Sequence, residues 1–391
     1  MIQLEEALKI AYDNSFVLGT ENITYFHSLG RVLAEDITSD ISMPPFDKSA
    51  MDGYACRSKD IFRDLTIIET VRAGVVPEKH IGKDQCSNIM TGAILPKGAD
   101  CVIMVEHTEK TIENKVRFIK DKTRKNICYK GEDIKKGQKV IDKGEFIKPQ
   151  HIAVMASVGC LNPLVYIKPR IGVLATGTEL VEPEKYPELS QIRNSNGSQM
   201  IAQLSTMGIQ AQYYGIAADS EEDTFDMLEQ SVKENDVTLL SGGVSMGTYD
   251  FVPEVLEKLG FRLLFQHISI KPGKPTTFGI NGKKFVFGLP GNPVSSFNLF
   301  ELLVKPFLYN LMNKDYCPAI LNLPVEKQME RKKSDRLAWF PGIITEKGSV
   351  KQIEYHGSAH IYSLINADCL IAMKPGQNII ESGDLANVRQ I

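Results

Sequence analysis

Five charged side chains follow apolar runs in the middle of the chain, and together they could bind a cation and anions. They are Glu179, Asp219, Asp250, Lys271 and Lys274. Carboxylates are ligands that a hard cation such as Mg²⁺ prefers, whereas lysines bind phosphate oxygens. Taken singly, each carboxylate is typical of a helix cap and each lysine of a solvated loop. Their shared position after apolar runs favours one common site.

Two glycine-rich segments accompany these side chains. Residues 241–250 read SGGVSMGTYD, and such glycines expose backbone N–H groups that can bind an anion before a helix. The segment lacks the lysine of a P-loop, the G-x-G-x-x-G spacing of a dinucleotide site and the G-x-S-x-G elbow of a serine hydrolase. In the second segment, residues 288–294, Asn292 can cap a helix and Pro293 can occupy its first position.

The elements that must position these residues are those of a parallel α/β sheet. Buried strands are predicted for five apolar runs, at residues 171–175, 211–218, 237–240, 262–270 and 284–287. Amphipathic segments between several of these runs predict helices, which is the alternation typical of the α/β class. In open parallel sheets the ligand lies outside the carboxyl ends of the strands. The charged residues are therefore expected to converge on one crevice.

Composition and charge limit the class of protein. A chain of 391 residues is too long for one ordinary core, so we expect several domains. The net charge of −3 disfavours binding to nucleic acid or to a membrane surface. No apolar run approaches the length of a membrane helix, and the amino terminus has no signal-like segment. The seven cysteines include no C-x-x-C pair, so free thiols in the cytoplasm are expected.

The flanking segments predict additional domains. Helical patterns in residues 1–43 and 141–168 predict one discontinuous amino-terminal domain, which surrounds a β insert at 44–140. The α/β domain is expected at 169–312 and a small β domain at 313–391. His356 and His360 are four residues apart, but their turn-rich surroundings do not favour a zinc site.

Eight motifs of the chain resemble those of a known family and occur in the same order. They are PPFDKSAMDGYA (44–55), MTGA (90–93), GADCVIMVE (98–106), GED (131–133), TGTEL (176–180), SGGVSMG (241–247), KPGKP (271–275) and GLPGNP (288–293). The first motif is long and very specific. The chain therefore resembles the molybdopterin molybdenumtransferases, a family that includes MoeA and the E domain of gephyrin.

The resemblance implies a fold and a reaction. The implied fold is a multidomain α/β protein with a central parallel-sheet molybdopterin-binding domain, a β insert, a discontinuous helical domain and a C-terminal β domain. The implied assembly is a homodimer, with each cleft between the sheet domain of one subunit and the β insert of the other. The implied reaction inserts molybdenum from molybdate into adenylylated molybdopterin, with Mg²⁺-dependent cleavage of the pyrophosphate and release of AMP. The molybdopterin adenylyltransferase and molybdoenzyme acceptors are implied as transient partners.

The resemblance also implies roles for residues of this chain. Catalytic roles are implied for Asp52, Thr91, Glu179, Asp250, Lys271 and Lys274. Glu179 and Asp250 would hold the metal. Cofactor contacts are implied for Asp133, Asp219, Gly242, Gly243, Ser245, Pro290, Gly291, Asn292, Pro293 and Ser358.

Three positions depart from the family pattern, and two other functions stay open. Thr178 stands where many members have Asp, Gly197 where several have Arg, and Pro341 where some have Arg. These changes could shift the affinity for anions, but they do not alter the expected class of reaction. One alternative is a scaffold that holds molybdopterin or a partner protein without turnover, which the charged residues disfavour. The other is the adenylyltransferase with the same sheet fold, which the additional domains disfavour.

Overall fold

The structure is a computed structural model that describes residues 1–112, 114–244 and 251–391. Its contacts divide the chain into two compact units. The smaller unit consists of Asn22–Leu29 and Leu33–Leu164. The larger unit consists of Met1–Glu21, Gly30–Val32 and Val165–Ile391. The finer division into four domains stays a prediction.

The smaller unit contains the β insert that the sequence predicts. Its main strands are β1 (Gly53–Cys56), β2 (Leu65–Val71), β3 (Gln85–Ile89), β4 (Cys101–Met104), β5 (Thr108–Lys110) and β6 (Lys115–Phe118). They form a sheet in the order β4-β1-β3-β2-β6-β5, antiparallel except where β2 meets β3. Because side chains alternate along β1, Tyr54 and Cys56 belong to one core cluster and Ala55 to another.

The helices follow the predicted amphipathic segments. They are α1 (Leu4–Asp13), α2 (Pro149–Ser157), α3 (Ser195–Thr206), α4 (Glu221–Glu234), α5 (Val252–Lys258), α6 (Pro293–Leu299) and α7 (Lys305–Leu311). A π-helical turn, Phe300–Val304, joins α6 to α7, so the helical segment that begins at Pro293 continues to Leu311. Ser220 caps α4, because its side chain accepts a hydrogen bond from the Asp223 N–H at 3.1 Å.

The larger unit is built around a mixed α/β sheet. In chain order its strands are β7 (Ile171–Thr176), β8 (Ala211–Ala217), β9 (Val237–Ser241), β10 (Arg262–His267), β11 (Ile270–Lys271), β12 (Pro275–Asn281) and β13 (Lys284–Leu289). All except β11 form one sheet in the order β8-β7-β9-β13-β12-β10. The strands from β8 to β13 in this order are parallel, and every residue of β7 and β9 is buried, as expected for a sheet covered on both faces.

The sheet departs from the predicted parallel arrangement at one edge. Strand β12, which the sequence analysis missed, pairs antiparallel with both β13 and β10. Because the strand direction reverses from β13 to β12 and again from β12 to β10, β10 runs in the same direction as β9 and β13. The carboxyl end of β10 therefore still lies at the edge where β7, β9 and β13 end.

The carboxy-terminal part of the larger unit forms a β domain, as predicted. Its strands are β14 (Ile320–Pro324), β15 (Leu337–Ile344), β16 (Val350–Gln352), β17 (Cys369–Met373) and β18 (Leu385–Gln390). The sheet order is β11-β15-β17-β18-β14, with β16 on β15, so a strand from the α/β region extends this sheet. Its core contains apolar side chains such as Phe340, Ile371 and Val388.

Short elements complete both units. The remaining short strands are Thr20–Asn22, Ile37–Thr38, Lys48–Ser49, Ile127–Cys128, Lys139–Ile141, Leu164–Tyr166, Leu180–Val181, Ile192–Arg193, Met329–Glu330 and Ile379–Ile380. Single 3₁₀ turns span Tyr25–Ser28, Ser58–Asp60, Val105–His107 and Ile361–Leu364. Among the described residues, no helix combines the length and apolarity needed to cross a membrane.

Candidate functional site

A cleft of about 770 Å³ lies at the carboxyl ends of β7, β9 and β13 in the larger unit. The loops that follow these strands and the first residues of α3 form its walls. Asp219, after β8, also lines it, and Ala359 and Ile361 contribute from the C-terminal domain. The crevice expected from the sequence is therefore present at the expected edge of the sheet.

The glycine-rich loop after β9 packs directly against the end of β7. Gly242 has a φ of +99°, and a Cβ atom on it would lie 2.4 Å from the Thr176 carbonyl oxygen. Only glycine fits this approach. The N–H of Gly242 donates to the Leu289 carbonyl at 3.0 Å, so this N–H group ties β9 to β13 and is not available to an anion. Ser245 and Asp250, two predicted site residues from the same segment, lie outside the described residues.

Asp219 accepts two hydrogen bonds from Thr178. The backbone N–H and the Oγ1 hydroxyl of Thr178 both donate to Asp219 Oδ2 at 2.9 Å. Thr178 is one of the three positions expected to depart from the family pattern, and the structure gives it a contact with a predicted site residue. Among the described residues, no hydrogen bond reaches Asp219 Oδ1. That oxygen is a candidate ligand atom for a cation.

Glu179 lines the same cleft, and its side chain is exposed. The described residues contain no group of three or more His, Cys, Asp and Glu side chains that could enclose a metal ion. Mg²⁺ does not require such a cage, because it commonly binds one or two carboxylates together with substrate phosphates and water. Glu179 and Asp219 fit that type of site.

The paired lysines lie beside the cleft lining. Lys271 ends the short strand β11 and is half-buried, and Lys274 is exposed. Their turn is closed by the Ile268 N–H, which donates to the Lys274 carbonyl at 3.0 Å. Pro275, directly after the turn, lines the cleft, but the two lysines are absent from the lining. Burial and the charge of Lys274 lower the pKa of His267, at the end of β10.

The loop after β13 brings Pro290, Gly291, Asn292 and Pro293 into the lining. Pro293 occupies the first position of α6, as predicted. The prediction that the Asn292 side chain caps this helix is wrong. Asn292 has the N-cap position but makes no side-chain capping bond. The first-turn N–H of Val294 instead donates to the carbonyl of Ser358 at 3.0 Å, so a loop of the C-terminal domain satisfies this end of α6.

Asn196, in the first turn of α3, is a cleft residue that the sequence analysis missed. Its Nδ2 donates to Ser241 Oγ at 2.6 Å and to the Gly291 carbonyl at 2.8 Å. It thereby joins the end of β9 and the loop after β13 to α3. Asn194, the N-cap of α3, accepts from the Gly197 N–H at 3.0 Å. A Cβ on Gly197 would lie 2.9 Å from Asn194 Nδ2, so a larger residue would disturb this cap.

Two of the three predicted site residues of the smaller unit, Asp52 and Thr91, form a second carboxylate–threonine pair. The N–H of Thr91 donates to Asp52 Oδ1 at 2.6 Å, and its hydroxyl donates to the same oxygen at 2.7 Å. These two hydrogen bonds lower the pKa of the Asp52 carboxyl. Asp133 is exposed in another turn, where its N–H donates to the Met43 carbonyl at 3.1 Å.

The fold is that of a multidomain α/β protein with a cleft at the carboxyl edge of its central sheet. Three family descriptions match consecutive parts of the chain. They are "MoeA N-terminal region (domain I and II)" at residues 2–159, "Probable molybdopterin binding domain" at 172–310 and "MoeA C-terminal region (domain IV)" at 327–391.

Curated relatives and solved structures agree with these matches. A molybdopterin molybdenumtransferase of Staphylococcus epidermidis is 34% identical over 400 residues, which cover 99% of this chain and 95% of the relative. A molybdopterin molybdenumtransferase of Bacillus subtilis is 39% identical over 300 residues, with coverage of 74% and 70%. The crystal structure of a molybdopterin biosynthesis MoeA protein from Pyrococcus horikoshii superimposes with a TM-score of 0.83 at 31% identity, with 100% and 99% coverage. The chain belongs to the molybdopterin molybdenumtransferase (MoeA) family, a family of transferases in molybdenum cofactor biosynthesis.

Proposed function

We propose that the chain inserts molybdenum from molybdate into adenylylated molybdopterin, with Mg²⁺-dependent cleavage of the pyrophosphate and release of AMP. The observation that carries this proposal is the pair of cleft carboxylates, Glu179 and Asp219, at the carboxyl edge of the sheet. One of them is already oriented by Thr178. A pyrophosphate with a bound cation needs oxygen ligands of this kind, and membership of the family supports the substrate.

Different residues of the chain would bind the cation and the anions. Asp219, Glu179 and Asp250 would hold the cation, and Thr178 would keep the Asp219 carboxylate in place. Lys271 and Lys274 would bind molybdate or phosphate oxygens, since their turn runs into the cleft residue Pro275. Mg²⁺ bound there would supply the charge that polarises the phosphoanhydride. Attack by an oxygen of water or molybdate on the pterin-side phosphorus would form a new P–O bond as the P–O–P bond breaks, with AMP as the leaving group and the new oxygen kept on the pterin phosphate.

The remaining assignments follow from the family resemblance. Asp52, Thr91 and Asp133 would act in the same reaction, and Gly242, Gly243, Ser245, Pro290, Gly291, Asn292, Pro293 and Ser358 would contact the cofactor. A cytoplasmic homodimer that transiently contacts the adenylyltransferase and molybdoenzyme acceptors is part of the same proposal.

The test is AMP release from enzymatically prepared adenylylated molybdopterin, with and without Mg²⁺ and molybdate. Asp219→Asn should lower the rate roughly 10²-fold, the usual effect of removing one group that stabilises charge. Asp223→Asn is the matched control, because Asp223 is also bonded to a hydroxyl, 2.8 Å from Ser220 Oγ, but lies outside the cleft lining. Its rate should stay within about twofold of the unmodified chain.

Two results would contradict the proposal. Binding of the pterin without any AMP release would favour a binding role. Equal losses in Asp219→Asn and Asp223→Asn would show that the lost rate does not depend on the cleft carboxylate.

A further inference from the structure

Asn196 has an orientation that the surrounding hydrogen bonds fix. The Gly291 carbonyl can only accept a hydrogen bond, so the atom of Asn196 that faces it at 2.8 Å must be the Nδ2 donor. The second Nδ2 hydrogen is used by Ser241 Oγ at 2.6 Å. Both amide donors are therefore committed, and the Oδ1 acceptor must point away from these two partners.

Oδ1 of Asn196 has no hydrogen-bond partner within the part of the chain that the structure describes. The residue is only 7% exposed, yet it lines the cleft together with both of its partners. An amide oxygen that is buried without a donor costs free energy, so such groups are almost always paired in a folded protein. A donor supplied by a ligand would satisfy this oxygen.

The place of Asn196 in the fold also makes it a rigid acceptor. It belongs to the first turn of α3, a helix of 12 residues whose N-cap, Asn194, is itself tied to Tyr213 by a 2.8 Å hydrogen bond. The two Nδ2 hydrogen bonds prevent rotation of the amide. A fixed acceptor in a buried position discriminates between ligands by the presence or absence of one N–H donor.

We propose that Asn196 Oδ1 accepts a hydrogen bond from an amino group on a heterocycle of the substrate, and that it thereby sets the ring's position in the cleft. This inference rests on the proposed function, whose substrate carries two such amino groups, one on the pterin ring and one on adenine. The chemistry of the acceptor is the same for both. Asn196 is thus a positioning and specificity residue.

The experiment measures dissociation constants of the 391-residue chain for two matched ligand pairs. One pair is pterin and 4-oxopteridine, which lacks the amino group. The other is AMP and purine riboside 5′-phosphate, which lacks the amino group of adenine. The unmodified chain should prefer the amino compound of one pair by about tenfold, and that pair identifies the ring that Asn196 contacts. Asn196→Ala should reduce this preference to about twofold or less.

Asn235→Ala is the matched control variant. Asn235 is another buried asparagine of the larger unit, 4% exposed, and its Nδ2 donates to Tyr214 Oη at 2.7 Å and to the Ser231 carbonyl at 2.9 Å. It lies outside the cleft lining, so this variant should keep the full preference. Loss of preference in both variants would overturn the role of Asn196, because the effect would then follow from general loosening of the fold.

The unmodified chain alone already tests the inference, whether or not Asn196→Ala folds. No preference for the amino compound in either pair overturns it. The outcomes also separate this inference from the proposed function. Absence of preference with normal AMP release overturns only the acceptor role of Asn196, whereas an Asn196-dependent preference without AMP release overturns only the transferase reaction.

Discussion

The hydroxyl of Thr178 should be worth a measurable part of the cation affinity of the cleft. It donates to Asp219 Oδ2 at 2.9 Å, alongside the N–H of the same residue. Thr178→Val removes the hydroxyl but keeps the β-branched shape and the N–H donor. The change therefore leaves Asp219 with one of its two hydrogen bonds from Thr178.

The size of the effect follows from the exposure of the pair. A hydrogen bond to a charged group contributes about 1.5–3 kcal/mol when it is well shielded from water. Thr178 is exposed and Asp219 is half-buried, so we take a smaller value of about 1 kcal/mol for this bond. A loss of that size weakens cation binding about fivefold. The rate at saturating Mg²⁺ should change little, because the N–H still orients the carboxylate.

The assay is AMP release as a function of Mg²⁺ concentration. Thr178→Val should raise the half-saturating Mg²⁺ concentration about fivefold. Thr178→Ser restores a hydroxyl and should recover most of the affinity, and Ser220→Ala removes a similar hydroxyl from Asp223 outside the cleft and should have no effect. The reasoning is refuted if Thr178→Val binds Mg²⁺ normally, or if Thr178→Ser is as impaired as Thr178→Val.

Three further predictions concern stability and thiol reactivity. Gly242→Ala should lower the free energy of unfolding, measured in urea, by about 2 kcal/mol or more, because its Cβ would lie 2.4 Å from a carbonyl oxygen at a φ of +99°. Gly348→Ala is the control. Gly348 has a φ of +73° with open space around the Cβ, so this change should lower the free energy of unfolding by only about 1 kcal/mol. Burial acts to raise the pKa of Asp236, but hydrogen bonds from Arg170 outweigh it and hold the pKa below its usual value. The contribution of Asp236 to stability is thus present above the unfolded-state pKa of about 3.9, and it is lost as pH falls through the folded-state pKa. Asp236→Asn should therefore reduce the loss of stability that the unmodified chain shows as the pH is lowered. A thiol reagent should label the exposed Cys317 fastest, and Cys317→Ser should remove this fast kinetic phase. The buried thiols should react only after unfolding; they are Cys56, Cys86, Cys101 and Cys369.

The apolar runs predict the centre of the sheet correctly, because strands β7 and β9 are buried on both faces and carry no polar alternation. Strand β12 was missed although a signal for it exists. Asn281 and Gly282 stand between two apolar stretches, and this dipeptide is a strong hairpin signal. The turn at 282 indeed joins β12 to β13, with Gly282 at a φ of +55°. Because of this hairpin, the edge of the sheet is antiparallel where a parallel crossover connection was expected.

Sequence reasoning could find a cleft residue only where that residue directly follows the end of a strand. Glu179 and Asp219 line the cleft for that reason. Asn196 could not be found in this way, because its partners lie 45 and 95 residues away in the sequence. The first-turn N–H of Val294 is likewise satisfied by Ser358 from a different domain, not by the local Asn292. Long-range hydrogen bonds of this kind have no local sequence pattern.

The two carboxylate–threonine pairs share a physical property that suits cation binding. In both Asp52–Thr91 and Asp219–Thr178, an N–H and a hydroxyl of one threonine donate to a single carboxylate oxygen. Threonine is a neutral donor, so it orients the carboxylate without cancelling its charge. An arginine or lysine in its place would also orient the group, but it would reduce the negative potential that attracts a cation. For Asp52 the two hydrogen bonds from Thr91 also lower the pKa of the carboxyl. In each pair, therefore, a neutral threonine orients a carboxylate that keeps its full negative charge.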